Sequence, residues 1–168
     1  MTANELPKRK RLPHDVPSWI PDETRHFITI NCLLRNANVL CCNGVAEGIL
    51  KNIDIYEEQG RWYPWLAVVM PDHIHMIASF HHDIGIKRTV AAWKGYQAKQ
   101  FAIEWQSGFF EHRLRSIDEF EEKASYVRNN PVRKGLVKEA NEWSYVWERV
   151  KDGSPGGFAL PGVKLHER

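Results

Sequence analysis

Two strand-like runs, residues 62–70 and His73–Phe80, are joined by a turn of only Pro71 and Asp72. A connection that short leaves no room for a crossover, so the runs must lie antiparallel. The second run, HIHMIASF, also divides cleanly between two faces. Residues two apart in a strand point the same way, with Cβ atoms roughly 6.5–7 Å apart. Ile74, Met76, Ala78 and Phe80 therefore fill one face and anchor the strand on helices, while His73 and His75 share the other. Two neighbouring imidazoles can hold one divalent cation and leave positions open for substrate oxygens. The motif is short, however, and a bare His-x-His is more often an ordinary pair on a half-exposed strand.

The flanking segments supply the rest of a sheet and its helices. Residues 26–34 (HFITINCLL) alternate like a strand, and Val45, Ile49, Ile53 and Tyr56 mark an amphipathic helix over Val45–Glu58. A longer helical pattern covers 84–105, with Ile86, Val90, Trp93, Gln97 and Phe101 as its inner stripe, and 109–115 is a short strand. Ser116 opens a last helix with a capping box to Glu119, and Pro131 is expected to stop it near Asn130. The order β-α-β-β-α-β-α predicts an α+β, ferredoxin-like antiparallel sheet with two helices on one face. The C-terminal tyrosine-bearing helix is left to cover the other face at the active site. Residues 1–24 read as a basic N-terminal arm, 25–150 as the catalytic domain and 151–168 as a flexible Gly- and Pro-rich tail.

Composition narrows the class. Hydrophobic residues make up 43% of the 168, enough for an ordinary core, and the longest apolar run falls short of the roughly 18 residues a membrane span needs. The start lacks the apolar stretch of a signal peptide, so a soluble, cytoplasmic protein without a membrane partner is expected. Three cysteines, two of them adjacent (Cys41 and Cys42), give neither a disulfide framework nor zinc-ribbon spacing.

Four residues apart on the last helix, Tyr126 and Asn130 face the same way, while Phe120, Ala124 and Val127 form a separate packing stripe. An amide oxygen at Asn130 could complete a His-His-Asn metal site, with the Tyr126 hydroxyl one turn away. A phenol ionises near pH 10, so it attacks well only where a metal or a nearby cation steadies the phenolate, and Lys123 and Arg128 are on the same helix. Tyr96 and Gln100 repeat the spacing, but their helix packs on the apolar side of the sheet, away from the histidines. The expected centre joins two imidazoles from a sheet edge to an amide and a phenol from a separate helix.

Three stretches, VVMPDHIHMI, FFEHRLR and YVRNNPVRKGLV, together resemble the REP-associated tyrosine transposases, single-tyrosine enzymes with a His-hydrophobic-His motif. The resemblance runs from about residue 26 to 150, and its His-x-His and YxxNNP segments are specific only in combination. It implies that His73 and His75 bind the metal, that Asn130 is the third ligand where many relatives have Gln, and that Tyr126 attacks DNA. It further implies Mg²⁺- or Mn²⁺-dependent cleavage and rejoining of single-stranded DNA, at hairpins from palindromic repeats, through a 5′-phosphotyrosine.

Such an enzyme must also hold DNA. Lys87, Arg88, Lys94 and Lys99 interleave with small residues on the long helix, and Arg113 and Arg115 alternate on the strand before the tyrosine helix, near the expected site, with His112 facing oppositely. Arg9, Lys10 and Arg11 belong to the arm, where a phosphate contact and a solvated tail fit composition equally well. Two other readings stay open: a hairpin-DNA-binding module that does not cut, and a zinc-dependent hydrolase using the His pair with a carboxylate. A homodimer and a monomer are equally compatible with the sequence.

Overall fold

In residues 24–149, the part of the chain that this computed structural model describes, alternating runs of side chains form the strands of a single five-stranded sheet. The elements run β1 (Arg25–Asn31), α1 (Val45–Glu58), β2 (Trp62–Val69), β3 (His73–Phe80), α2 (Ile86–Phe101), β4 (Phe110–Leu114), α3 (Ile117–Arg128), a single turn α4 (Asn130–Arg133), a 3-10 turn (Ala140–Glu142) and β5 (Val146–Glu148). Strand order is β4-β1-β3-β2-β5, and each neighbouring pair is antiparallel. This is the expected α+β, ferredoxin-like architecture.

Two cores sandwich the sheet. On one face Ile49, Leu50 and Ile53 of α1 and Val90 and Trp93 of α2 meet Ile28, Ile30, Ile74 and Met76. Each of these side chains stabilises the fold by about 1.5–3 kcal/mol through burial. On the other face Ala124 and Val127 of α3 pack on Phe27, Leu66, Val68, Ile77 and Leu114, with Phe120 at the rim. The expected stripe of α3 thus does the packing and leaves Tyr126 free of it.

Four details differ from expectation. The histidine strand β3 lies in the middle of the sheet, not at an edge, because both β1 and β2 pair with it. A fifth strand forms beyond the tyrosine helix: β5 pairs with residues 66–68, and its fully buried Trp147 gives its indole N–H to Asp54 at 2.7 Å. Helix α2 ends at Phe101 rather than near 105, where Ala102 turns into the left-handed region (φ 54°). Helix α3 ends at Arg128, and after Asn129 the chain takes one more helical turn with Pro131 near its start. Proline is tolerated there because its missing N–H has no partner in a first turn.

Ser116 caps α3 as expected, accepting from the Glu119 N–H at 3.0 Å, but the Glu119 carboxylate takes the N–H of Arg115 rather than that of the cap. Arg9, Lys10 and Arg11, like the tail over 151–168, lie outside the described residues. Among the described residues no helix is long and apolar enough to cross a membrane.

Candidate active site

The site grows from the turn between β2 and β3. Asp72 sits at its end, and its carboxylate is held on one side by the Asn36 N–H at 2.8 Å and the Arg35 guanidinium at 3.4 Å. Its other oxygen accepts from His73 Nδ1 at 2.6 Å. On the neighbouring strand Thr29 is in register with His75, and its hydroxyl lies 2.9 Å from His75 Nδ1. Both imidazoles are thus fixed through Nδ1, and their Nε2 atoms face each other at 3.2 Å. The α3–α4 junction brings Asn130 to the same point, with its Nδ2 3.2 Å from His75 Nε2 and its Oδ1 buried without a hydrogen-bond partner. His73 and His75 are each 6% exposed and Asn130 is 3% exposed.

Burial dominates the electrostatics. It pushes His75 down to about 3, helped by coupling to the neighbouring His73 and by the positive charges of Lys123 and Lys134. His73 is lowered as well, because burial outweighs the opposing pull of Asp72. Burial alone would raise Asp72, but its bonds to His73 and the Asn36 N–H, with the Arg35 charge, hold it below the usual carboxylate range. With the Asp72 carboxylate holding its proton on Nδ1, neutral His73 presents a lone pair at Nε2, and His75 does the same in the tautomer whose Nδ1–H donates to the Thr29 hydroxyl.

Tyr126 stands at the rim of this cluster. Its ring centroid is 6.0 Å from that of His75, and the residue is 37% exposed. The Arg133 guanidinium lies 4.6 Å from the ring centre and Lys123 Nζ 5.1 Å, so two cations flank the phenol. Arg128, the other cation expected to serve it, instead pairs with Glu148 of β5. Beside His73 a cleft of about 340 Å³ opens, lined by Arg35, Asn38, Met70, Asp72 and Lys134 among others.

The structure brings together His73, His75, Asn130 and Tyr126, but not the expected cations. Lys87, Arg88 and Lys99 are exposed on α2, across the sheet from the histidines. Lys94 is half-buried and donates to the carbonyls of Gln106 at 2.7 Å and Gly108 at 2.6 Å, which gives it a structural task. In β4, Arg113 is opposite His26 and His112 opposite Phe27, so His112 lies on the histidine face and Arg113 on the other. The expectation that Arg113 lies beside the site is therefore corrected. Arg115 follows β4, exposed, with its backbone N–H given to Glu119. Asp72, Thr29, Arg35, Arg133 and Lys134 were missed. The only local signal was an Asp directly before the first His.

No sequence model of a known protein family matches the chain. A REP-associated tyrosine transposase from Escherichia coli (strain K12), however, is 30% identical over 126 residues, 71% of this chain and 73% of that protein. The chain belongs to that family. A solved REP-associated tyrosine transposase bound to a REP hairpin has the same fold, with a TM-score of 0.65 and 23% identity over 79% of this chain and 81% of that one.

Membership of the REP-associated tyrosine transposases makes this a DNA-processing chain and suggests a metal requirement. The donors fit a divalent ion. Two nitrogens each about 2.1 Å from one ion, at a near-right angle, stand about 3 Å apart. Turning the Asn130 amide exchanges its nitrogen for the orphaned oxygen, and the two are hard to tell apart by shape. A second group, His81, His82 and Asp83, brings its ligand atoms within 4.8 Å of one another, but on the turn at the far end of β3 from His73.

Proposed function

We propose that this chain cleaves and rejoins single-stranded DNA at hairpins, with Tyr126 as nucleophile and a divalent ion held by His73, His75 and Asn130. One observation carries the reading: three buried metal donors converge from β3 and α4, and the tyrosine four residues before the third sits against them. When bound, Mg²⁺ or Mn²⁺ would supply positive charge to the non-bridging oxygens of the scissile phosphate. Asp72 keeps the proton of His73 on Nδ1, and Thr29 orients His75, so that both Nε2 atoms stay available.

Tyr126 Oη forms a bond to phosphorus as the bond to the 3′ oxygen breaks. The phenol gives up its proton and the departing 3′ oxygen gains one, leaving a 5′-phosphotyrosine and a free 3′-hydroxyl. One phosphodiester replaces another, so rejoining needs no ATP. Lys123 and Arg133 provide charge beside the phenol, and Arg35 and Lys134 line the cleft next to His73. The hairpin is taken from the solved family member, which is bound to one. Its phosphates would meet the exposed Arg115 at the end of β4, with Arg9, Lys10 and Arg11 as a further contact. Lys87, Arg88 and Lys99 on α2 and Arg113 on β4 are on the face opposite the histidines and would touch only DNA that passes around the sheet.

A zinc hydrolase would need a carboxylate on the ligand side of the histidines. Asp72, the carboxylate bonded to His73, approaches from Nδ1 instead, and the third donor is an amide. Incubation of 3′-labelled hairpin DNA with Mn²⁺, followed by denaturing electrophoresis, tests the proposal. A protein-linked band that disappears in Tyr126→Phe is expected. Cleavage that persists in that variant would favour hydrolysis, and salt-sensitive binding without any cleavage would favour a binding module.

A further inference from the structure

Phe110 is 57% exposed at the first position of β4, an edge strand. An exposed phenyl there adds little to the fold and leaves an apolar surface on a strand that has one partner, β1, among the described residues. Its position is informative. Phe110 is opposite Thr29, the residue that orients His75, so it stands on the histidine face. Its ring centroid is 6.0 Å from that of Phe27, which in turn is 5.5 Å from His75 and 6.5 Å from Tyr126. Lys123 Nζ lies 4.8 Å above the Phe27 ring and 5.1 Å from the Tyr126 ring. The exposed Phe110 ring is thus joined edge-to-face, through the buried Phe27, to the ring of the nucleophile, with a cation over Phe27.

We infer that Phe110 is a platform on which an unpaired DNA base next to the scissile phosphate stacks; this rests on the cleavage reading above. Aromatic faces alternating with cations suit single-stranded nucleic acid, since each base offers a π-face and each nucleotide a negative charge. A paired stem hides its base faces, so the ligand is the single-stranded flank of the hairpin rather than its duplex. Stacking accepts any base, so Phe110 positions the strand without reading its sequence.

The test uses the full chain in a Tyr126→Phe background, where DNA stays intact. Two DNAs are titrated: a blunt hairpin, and the same hairpin with a single-stranded extension carrying 2-aminopurine beside the cleavage position. Phe110→Ala is expected to weaken binding of the extended DNA by about ten-fold or more, the scale of one lost base–aromatic stack. Binding of the blunt hairpin should not change, and Phe110→Trp should restore both affinity and quenching of the 2-aminopurine. Equal affinity of the Ala variant for the extended DNA, or an equal loss for both DNAs, would overturn the assignment. Because binding is read without cleavage, absence of a tyrosine adduct would remove the cleavage reading and leave this result to be judged separately.

Discussion

The Nε2 atoms of His73 and His75 stand 3.2 Å apart, and each ring is fixed by a residue from a different element: Asp72 from the β2–β3 turn and Thr29 from β1. Two buried nitrogens held this close, with an unpartnered amide oxygen beside them, are the donor set on which the proposed cation site rests.

The residues behind the ligands should therefore tune the metal. Asp72→Asn and Thr29→Val are each expected to weaken Mn²⁺ binding by roughly 10–100-fold, as measured by isothermal titration calorimetry on folded protein. Affinities unchanged from the parent would show that neither residue orients its histidine.

Metal should stabilise the fold through the same donors. At about 100 times its dissociation constant, Mn²⁺ is expected to add about 2.7 kcal/mol to unfolding free energy, and chelator should remove the gain. His75→Ala and Asn130→Ala should lose most of it in thermal melts. In metal-free protein Asn130→Ala removes a buried oxygen that has no partner together with the Nδ2 contact to His75 Nε2, two effects of opposite sign, so its net cost should be smaller than the lost metal-dependent gain. A full metal-dependent rise in both variants would place the ion elsewhere.

Strand β5 should be integral to the domain. Trp147 is fully buried and bonded to Asp54, so Trp147→Ala is expected to cost about 3–5 kcal/mol in urea denaturation. A change below about 1 kcal/mol would mean that the strand is dispensable.

The thiols of Cys32 and Cys41 should be quiet. Burial pushes Cys32 up to about 11 and Cys41 up to about 12, so both stay protonated well above neutral pH. The thiolate is the reactive form, so at pH 8 both should resist an aromatic disulfide reagent in native protein and react on denaturation. Fast native labelling of either, located by peptide mapping, would contradict this.

Local periodicity made much of the fold legible. Helix α1 spans the residues its apolar spacing marks, and the two faces of β3 follow from strict alternation. Pairing between distant segments was not legible. That β3 lies centrally, and that Thr29 falls opposite His75, depend on register set by the whole sheet. Both faces of the sheet are covered by helices, so the alternation of His112 and Arg113 could not say which faces the site. The His-His-Asn-Tyr set emerged from side-chain spacing and the family resemblance together. Asp72 read only as a turn residue, and Arg133 had no pattern of its own.

The most direct measurement is to digest the covalent protein–DNA complex with trypsin and nuclease, and to locate the nucleotide by mass spectrometry. The expected result is a phosphonucleotide on Tyr126, within the peptide over residues 124–128, with none formed when His73 and His75 are both replaced by Ala. An adduct on Tyr96 or any other residue, or an undiminished adduct without the histidines, would contradict the assignment.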